Sequence, residues 1–183
     1  MVHAWHDLPS RPSTPARAVN AVIEIPSGSK IKYELDKPSG LLRVDRVLHS
    51  SVHYPANYGF IPRSYCDDGD PLDVLVLCSE SVVPMSIIVA RPIGIVRMVD
   101  SGKADDKIIA VHSHDPAFEE YDDITDLPRH VAREIQRFFQ DYKVLEDKDV
   151  VVNDPLGRDE AEKVIEEALE LYRREESRLR GWG

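Results

Sequence analysis

Val19-Asn20-Ala21-Val22-Ile23-Glu24-Ile25-Pro26-Ser27-Gly28-Ser29-Lys30-Ile31-Lys32-Tyr33-Glu34-Leu35 reads as two strands and the turn between them. Val19 to Ile25 is rich in β-branched residues and stops at Pro26, which has no N–H to give a ladder. Ser27-Gly28-Ser29 supplies turn chemistry. Ile31 to Leu35 alternates apolar and polar, as a half-buried strand should. Lys37-Pro38-Ser39-Gly40 is a second turn, and Leu41 to Leu48 a third strand. Short strands joined by such turns favour a barrel or sandwich over a parallel sheet.

The rest of the chain extends this pattern. Asp73 to Leu77 is a short apolar strand, and Met85 to Met98 a longer β segment bent where Pro92 and Gly94 fall. Ile108 to Val111 is a further strand. His53 to Pro62, aromatic and proline-rich, is expected to be an ordered loop. Residues 112–127, with His112, His114 and several acids, read as solvated surface. In the last third, Val131, Ile135, Phe138, Phe139 and Tyr142 form one helical stripe that begins near Pro128. Val150 to Val152 reads as a short strand. A second helix runs from about Asp159 to Arg180, with acids at its start and arginines at its end, as the helix dipole favours. Residues 8–17, rich in Pro, Ser and Arg, form no helix. No further linker and no internal repeat interrupt the chain. The expected organisation is an N-terminal arm (1–18) and a single domain (19–183). Its class is mainly β with helices (α+β), a mainly antiparallel barrel with two helices packed outside.

A chain of 183 residues is long enough to bury a core without staples. Its net charge of −10 opposes general binding to nucleic acid or anionic membrane. A phosphate-bearing substrate would then need a local basic patch or bound cations. Two cysteines, Cys66 and Cys78, make no disulfide framework and are expected as free buried thiols. No apolar run approaches membrane-spanning length, and the start has no signal pattern, so a cytoplasmic location is expected. His49 and His53 lack a third His or Cys to complete a zinc set. Phosphate-cradling glycine motifs are absent.

Asp68-Gly69-Asp70-Pro71-Leu72-Asp73 places three carboxylates in six residues, immediately before a strand. Gly69 permits an unusual backbone angle and Pro71 fixes one. Such a loop can aim its carboxylates at one point, which suits a hard divalent cation. It is not an EF-hand loop, since the sixth position is Asp73 and the twelfth Ser79. Asp100-Ser101-Gly102-Lys103-Ala104-Asp105-Asp106-Lys107 is a second acidic loop that also abuts a strand. If the two converge, they make a site for more than one cation.

Together these segments resemble family I soluble inorganic pyrophosphatases. The residues that carry the likeness are Asp68 to Val74, Ile23 to Pro26, Ile31 to Lys37, Val44-Asp45-Arg46, Tyr54 to Gly59, Asp100 to Lys107, and Phe138 to Lys143, all in the family's order. The likeness spans about residues 19–155. It implies an OB-like five-stranded barrel with two flanking helices, and Mg²⁺-dependent hydrolysis of pyrophosphate with several ions per site. By position, Asp68, Asp73 and Asp105 would hold the first metal, with Asp73 also touching a second. Asp100 and Asp105 would hold a metal that arrives with substrate, and Glu24 would act on a metal through water. Asp70 would be the general base. Lys32, Arg46, Tyr58, Lys107, Tyr142 and Lys143 would grip the phosphates, with Glu34 and Tyr54 supporting them. Ser101 stands where many family members carry an acid, which implies weaker binding of the substrate-associated metal.

The chemistry suits the residues. Pyrophosphate repels an anionic nucleophile, and cations relieve both that repulsion and the charge on the transferring group. A carboxylate beside two ligating acids can take a proton from the attacking water. Two other readings explain less. A calcium- or magnesium-stabilised β module leaves the lysines, arginine and tyrosines without a role, and an OB-type nucleic-acid binder conflicts with the net charge. The family resemblance implies a homo-oligomer, with a hexamer favoured and a monomer as the alternative.

Overall fold

A computed structural model describes residues 2–146 and 150–181. In chain order the strands are β1 (Val19–Ile25), β2 (Ile31–Asp36), β3 (Leu41–Val47), β4 (Asn57–Phe60), β5 (Asp73–Leu77), β6 (Ile87–Val96), β7 (Met98–Asp100), β8 (Lys103–Ala104), β9 (Lys107–His112), β10 (Val150–Val152) and β11 (Leu156–Gly157). The helices are α1 (Arg129–Asp141) and α2 (Arg158–Leu179), with three short 3-10 turns besides.

Five strands close a barrel in the order β1-β4-β5-β9-β6, and β6 returns to β1. All seams are antiparallel except β5–β9, which is parallel. The expected barrel with two outer helices is therefore present, with one parallel pair inside a mainly antiparallel frame. β2 and β3 form a separate hairpin, and β10-β7-β8 a small second sheet.

Barrel strands are buried on both faces, so their sequences run apolar instead of alternating. Val74 and Val76 of β5 pack with Ala161, Ile165 and Ala168 of α2. Leu75 and Leu77, on the opposite face, pack with Ile135, Phe138 and Phe139 of α1. Each fully buried Leu or Ile contributes about 1.5–3 kcal/mol, so these two cores hold the barrel between its helices.

The segment expected as a loop at His53–Pro62 contains a barrel strand, β4, whose four residues are all buried. Its aromatics and prolines hid it, but its glycine explains it. A Cβ on Gly59 would lie 1.8 Å from the Val22 carbonyl oxygen, so only glycine lets β4 close on β1. The bend expected at Pro92 and Gly94 is a register shift between β6 and β9. There Gly94 admits β11, whose Leu156 oxygen lies 2.7 Å from where a Cβ would stand.

Residues 112–127 are not merely solvated surface: Asp115, Ile124 and Leu127 are buried. Asp123 ties this segment to α2. Its Oδ2 accepts from the Arg158 N–H at 2.9 Å, supplying the cap that Gly157 cannot. The N-terminal residues also dock. Trp5 is buried and donates Nε1–H to the Ser64 carbonyl at 2.8 Å, while His6 Nδ1 meets the Tyr172 hydroxyl at 2.8 Å.

Candidate active site

The parallel pair β5–β9 builds the site. Parallel strands start at the same end, and here Asp73 and Lys107, the first residues of β5 and β9, are register partners. The acidic loop before β5 and the acidic segment before β9 are therefore delivered to one place. The β7–β8 hairpin brings Asp100 and Ser101 to the same mouth. The end of α1 adds Tyr142 and Lys143, β1 adds Glu24, and the β2–β3 hairpin adds Lys32 and Glu34. The resulting cleft has a volume of about 640 Å³.

Every residue expected at the site lines this cleft except Arg46. Arg46 sits on β3, where its guanidinium pairs with Asp45 and, through Nε at 2.8 Å, with Glu146. Its buried Nη2 has no hydrogen-bond partner among the described residues. Lys37 also lines the cleft, a position that the motif reading does not assign to it. Its ammonium pairs with Asp70 and donates to the Gly69 carbonyl at 2.9 Å. Lys37 lies in the motif Ile31 to Lys37, but nothing in a linear sequence shows that the β2–β3 turn reaches the acidic loop.

The acidic loop is shaped by its own backbone. Gly69 has φ +97°, and the Asp70 N–H donates to Asp68 Oδ1 at 3.0 Å. Cys66 closes the turn by donating its N–H to the Asp70 carbonyl at 2.9 Å. Asp70 is left the most exposed of the three aspartates, its side chain 55% accessible against 23% for Asp73.

Deeper in, Lys107 is only 3% exposed, and its ammonium lies between Asp73 and Asp105, bonded to both. Burial disfavours that charge, but the two carboxylates outweigh it and hold the lysine above its ordinary value. Lys143 pairs with Asp100, and Lys32 with Glu34. Burial first, and then the Asp73 carboxylate, push Glu24 up to about 8, although Glu24 accepts from the Leu35 N–H at 2.6 Å. Burial likewise pushes Asp68 up to about 6, with help from Asp70, Asp105 and Asp73. Tyr54 and Tyr58, both buried, are raised well above the usual phenol value.

These directions state one fact: the carboxylates are crowded and desolvated, and they require positive charge. Lys107 stands where that need is greatest. The donors are carboxylate oxygens throughout, the set that suits a hard divalent cation. The lysines set among these carboxylates suit a phosphate-bearing anion. An arrangement of this kind can hold cations and a polyanion together, with the exposed Asp70 carboxylate beside them.

Comparison with known proteins agrees with this geometry. The family model for inorganic pyrophosphatase matches residues 21–173. Soluble inorganic pyrophosphatase 2 of Chlamydomonas reinhardtii is 56% identical over 170 residues, covering 93% of this chain and 88% of that protein. The soluble inorganic pyrophosphatase of Oryza sativa subsp. indica is 55% identical, covering 93% and 79%. Among solved structures, the inorganic pyrophosphatase of Thermus thermophilus superimposes with a TM-score of 0.89 at 36% identity, covering 94% of this chain and 99% of that one. The Helicobacter pylori inorganic pyrophosphatase gives 0.84 at 43% identity, covering 88% and 96%. The fold, the cleft and these likenesses converge on one statement: the chain belongs to the inorganic pyrophosphatase family.

Proposed function

We propose that this protein is a hydrolase that converts pyrophosphate to two orthophosphates with Mg²⁺. The observation that carries the reading is the convergence of both acidic loops and the lysines at one end of the β5–β9 pair. Asp68, Asp73 and Asp105 would hold the first ion, with Asp73 shared by a second. Asp100 and Asp105 would take the ion that accompanies substrate, and Glu24 would act through water. Bound Mg²⁺ supplies charge neutralisation and a more acidic water. Asp70, exposed at the junction, receives the proton of the attacking water. Lys32, Lys107, Lys143, Tyr58 and Tyr142 hold the phosphates and offset the charge that develops on the leaving group. Arg46 joins them from β3 by leaving Asp45 and Glu146. Glu34 orients Lys32, and Tyr54 packs on Tyr58 with ring centroids 5.3 Å apart.

Ser101 donates to Asp100 Oδ1 at 2.9 Å instead of adding a charge. Ser101→Glu should therefore lower the Mg²⁺ concentration needed for half-maximal rate. The protein would then comprise an arm (1–18) and one catalytic domain (19–183), in a cytoplasmic location. No helix among the described residues is long and apolar enough to cross a membrane. The exposed Leu41, Val44 and Val47 on β3, with Met85 just before β6 and Ile87 at its start, support a homo-oligomer; the hexamer is favoured over a monomer only by the family resemblance. Sizing chromatography decides the assembly. For the reaction, pure chain mixed with pyrophosphate should release two phosphates per molecule only when Mg²⁺ is present. Release that is unaffected by chelation would remove the metal from the account.

A further inference from the structure

The two strands that carry Asp73 and Lys107 at one end carry a different cluster at the other. Leu77 and Val111 are the last register partners of β5 and β9. Beyond them stand Cys78 and His112, with Cys78 Sγ 3.8 Å from His112 Nδ1. The chain then turns back through the Asp115 N–H to His112 carbonyl bond at 3.2 Å, which returns the Asp115 carboxylate to the pair. Ligand atoms of Cys78, His112 and Asp115 all lie within 4.8 Å of one another. Neither cysteine is bridged.

Asp115 is held rigidly. Its Oδ1 accepts from Ser79 Oγ at 3.0 Å and from the Ala117 N–H at 3.0 Å, and its Oδ2 from the Ser79 N–H at 2.6 Å. A carboxylate offers about four lone-pair positions; these three bonds leave one, which the Cys78 thiol meets as a hydrogen-bond donor and which an ion would take over when that thiol loses its proton. Fixed orientation by backbone donors is what supports a metal-ligating carboxylate. The Cys78 and His112 side chains are only half-buried, so an ion has a way in.

We propose that Cys78, His112 and Asp115 form a second metal site, of zinc type, separate from the phosphate cleft. One thiolate, one imidazole and one carboxylate are a softer set than the all-oxygen cleft and select Zn²⁺ over Mg²⁺. On binding, the Cys78 thiol loses its proton to solvent. Thiolate and carboxylate then balance the 2+ charge, and the neutral imidazole completes three ligands. Water or His114, whose ring centroid lies 5.9 Å from that of His112, takes the fourth position. Five strand residues at about 3.3 Å each place this ion roughly 16 Å from the cleft. It pins the far ends of the strands that frame the active site and takes no part in the chemistry.

Cobalt(II) titration of the metal-stripped chain, with Mg²⁺ kept saturating, tests this, because a cobalt–thiolate bond has its own near-ultraviolet charge-transfer band. The wild type should show the band at one cobalt per chain, reversed by Zn²⁺. Cys66→Ser and Asp73→Asn should keep it. Cys78→Ser should lose it, and His112→Ala should bind at least about tenfold more weakly. Pyrophosphate hydrolysis in Mg²⁺ should be unchanged in Cys78→Ser and His112→Ala, which also reports that both are folded. Zn²⁺ should raise the melting midpoint of the wild type and not that of Cys78→Ser. No band in the wild type would overturn the proposal. So would a band that survives Cys78→Ser, or one that follows Cys66 beside the acidic loop.

Discussion

Lys107 shows how the crowded carboxylates of the cleft are held together. Its ammonium lies between Asp73 and Asp105, almost wholly buried. Removing one partner of a buried ion pair strands the other charges and typically costs about 3–5 kcal/mol. Lys107→Met should therefore melt well below the wild type in chelator, and Mg²⁺ should restore more stability to it than to the wild type. Scanning calorimetry with and without Mg²⁺ checks this, and equal Mg²⁺ effects on the two chains would contradict it. The acidic loops were legible from residue type and spacing, whereas the lysines and tyrosines were placed at the site only by their likeness to family motifs. Lys37 and Arg46 show the limit. The link from Lys37 to Asp70 crosses two loops, and the pairing of Arg46 with Glu146 joins residues a hundred positions apart. No local pattern encodes either.

His6 is the residue with the clearest pH signature outside the cleft. Burial first, then the charges of His3 and Arg180, lower it to about 4 from 6.5. As pH falls, the unfolded chain takes up the proton first. Stabilisation by the neutral ring is thus complete above about 6.5 and is lost as pH drops toward 4. Glu24 and Asp68, raised to about 8 and about 6, tilt the other way, since their folded forms bind protons more readily. The informative quantity is therefore the difference between the wild type and His6→Gln. Its melting advantage should shrink between pH 6.5 and 4, and a constant difference across that range would count against the assignment.

At the scale of elements, two contacts decide whether the barrel closes and keeps its outer helix. Gly59 lets β4 meet β1. Gly59→Ala would drive a methyl group into the Val22 carbonyl, a clash of the class that exceeds about 4 kcal/mol. Soluble, active Gly59→Ala protein would contradict this reading of the seam. Asp123 caps α2 from outside the helix, so Asp123→Ala should lower stability by about 1 kcal/mol in chemical denaturation and leave phosphate release unchanged. β1, β2, β5 and both helices were legible from periodicity and turn residues. β4 was not, because it is only four residues long and lies among aromatics and prolines that read as a loop. The parallel pairing of β5 and β9 was also hidden. It follows from how β6, β7 and β8 are threaded between them, and no local pattern states it.

At the scale of the whole molecule, one parallel seam serves both ends. Its starting end gathers the carboxylates and lysines of the cleft, and its far end gathers Cys78, His112 and Asp115. The chain's acidity is compatible with an anionic substrate because lysines line the same cleft as the carboxylates and pair with them. Residues at the N-terminus, read from composition only as an arm, seal the barrel through Trp5 and reach the active-site wall. There the Lys37 ammonium lies 5.8 Å from the Trp5 ring centre while it holds Asp70. The most direct test of the account is phosphate release from pyrophosphate, with and without Mg²⁺, by the wild type and by Asp70→Asn. The wild type should release phosphate only with Mg²⁺, and a folded Asp70→Asn should do so about 10²–10⁴-fold more slowly. Wild-type protein that releases no phosphate in Mg²⁺ would contradict the function, and full activity in Asp70→Asn would contradict the base.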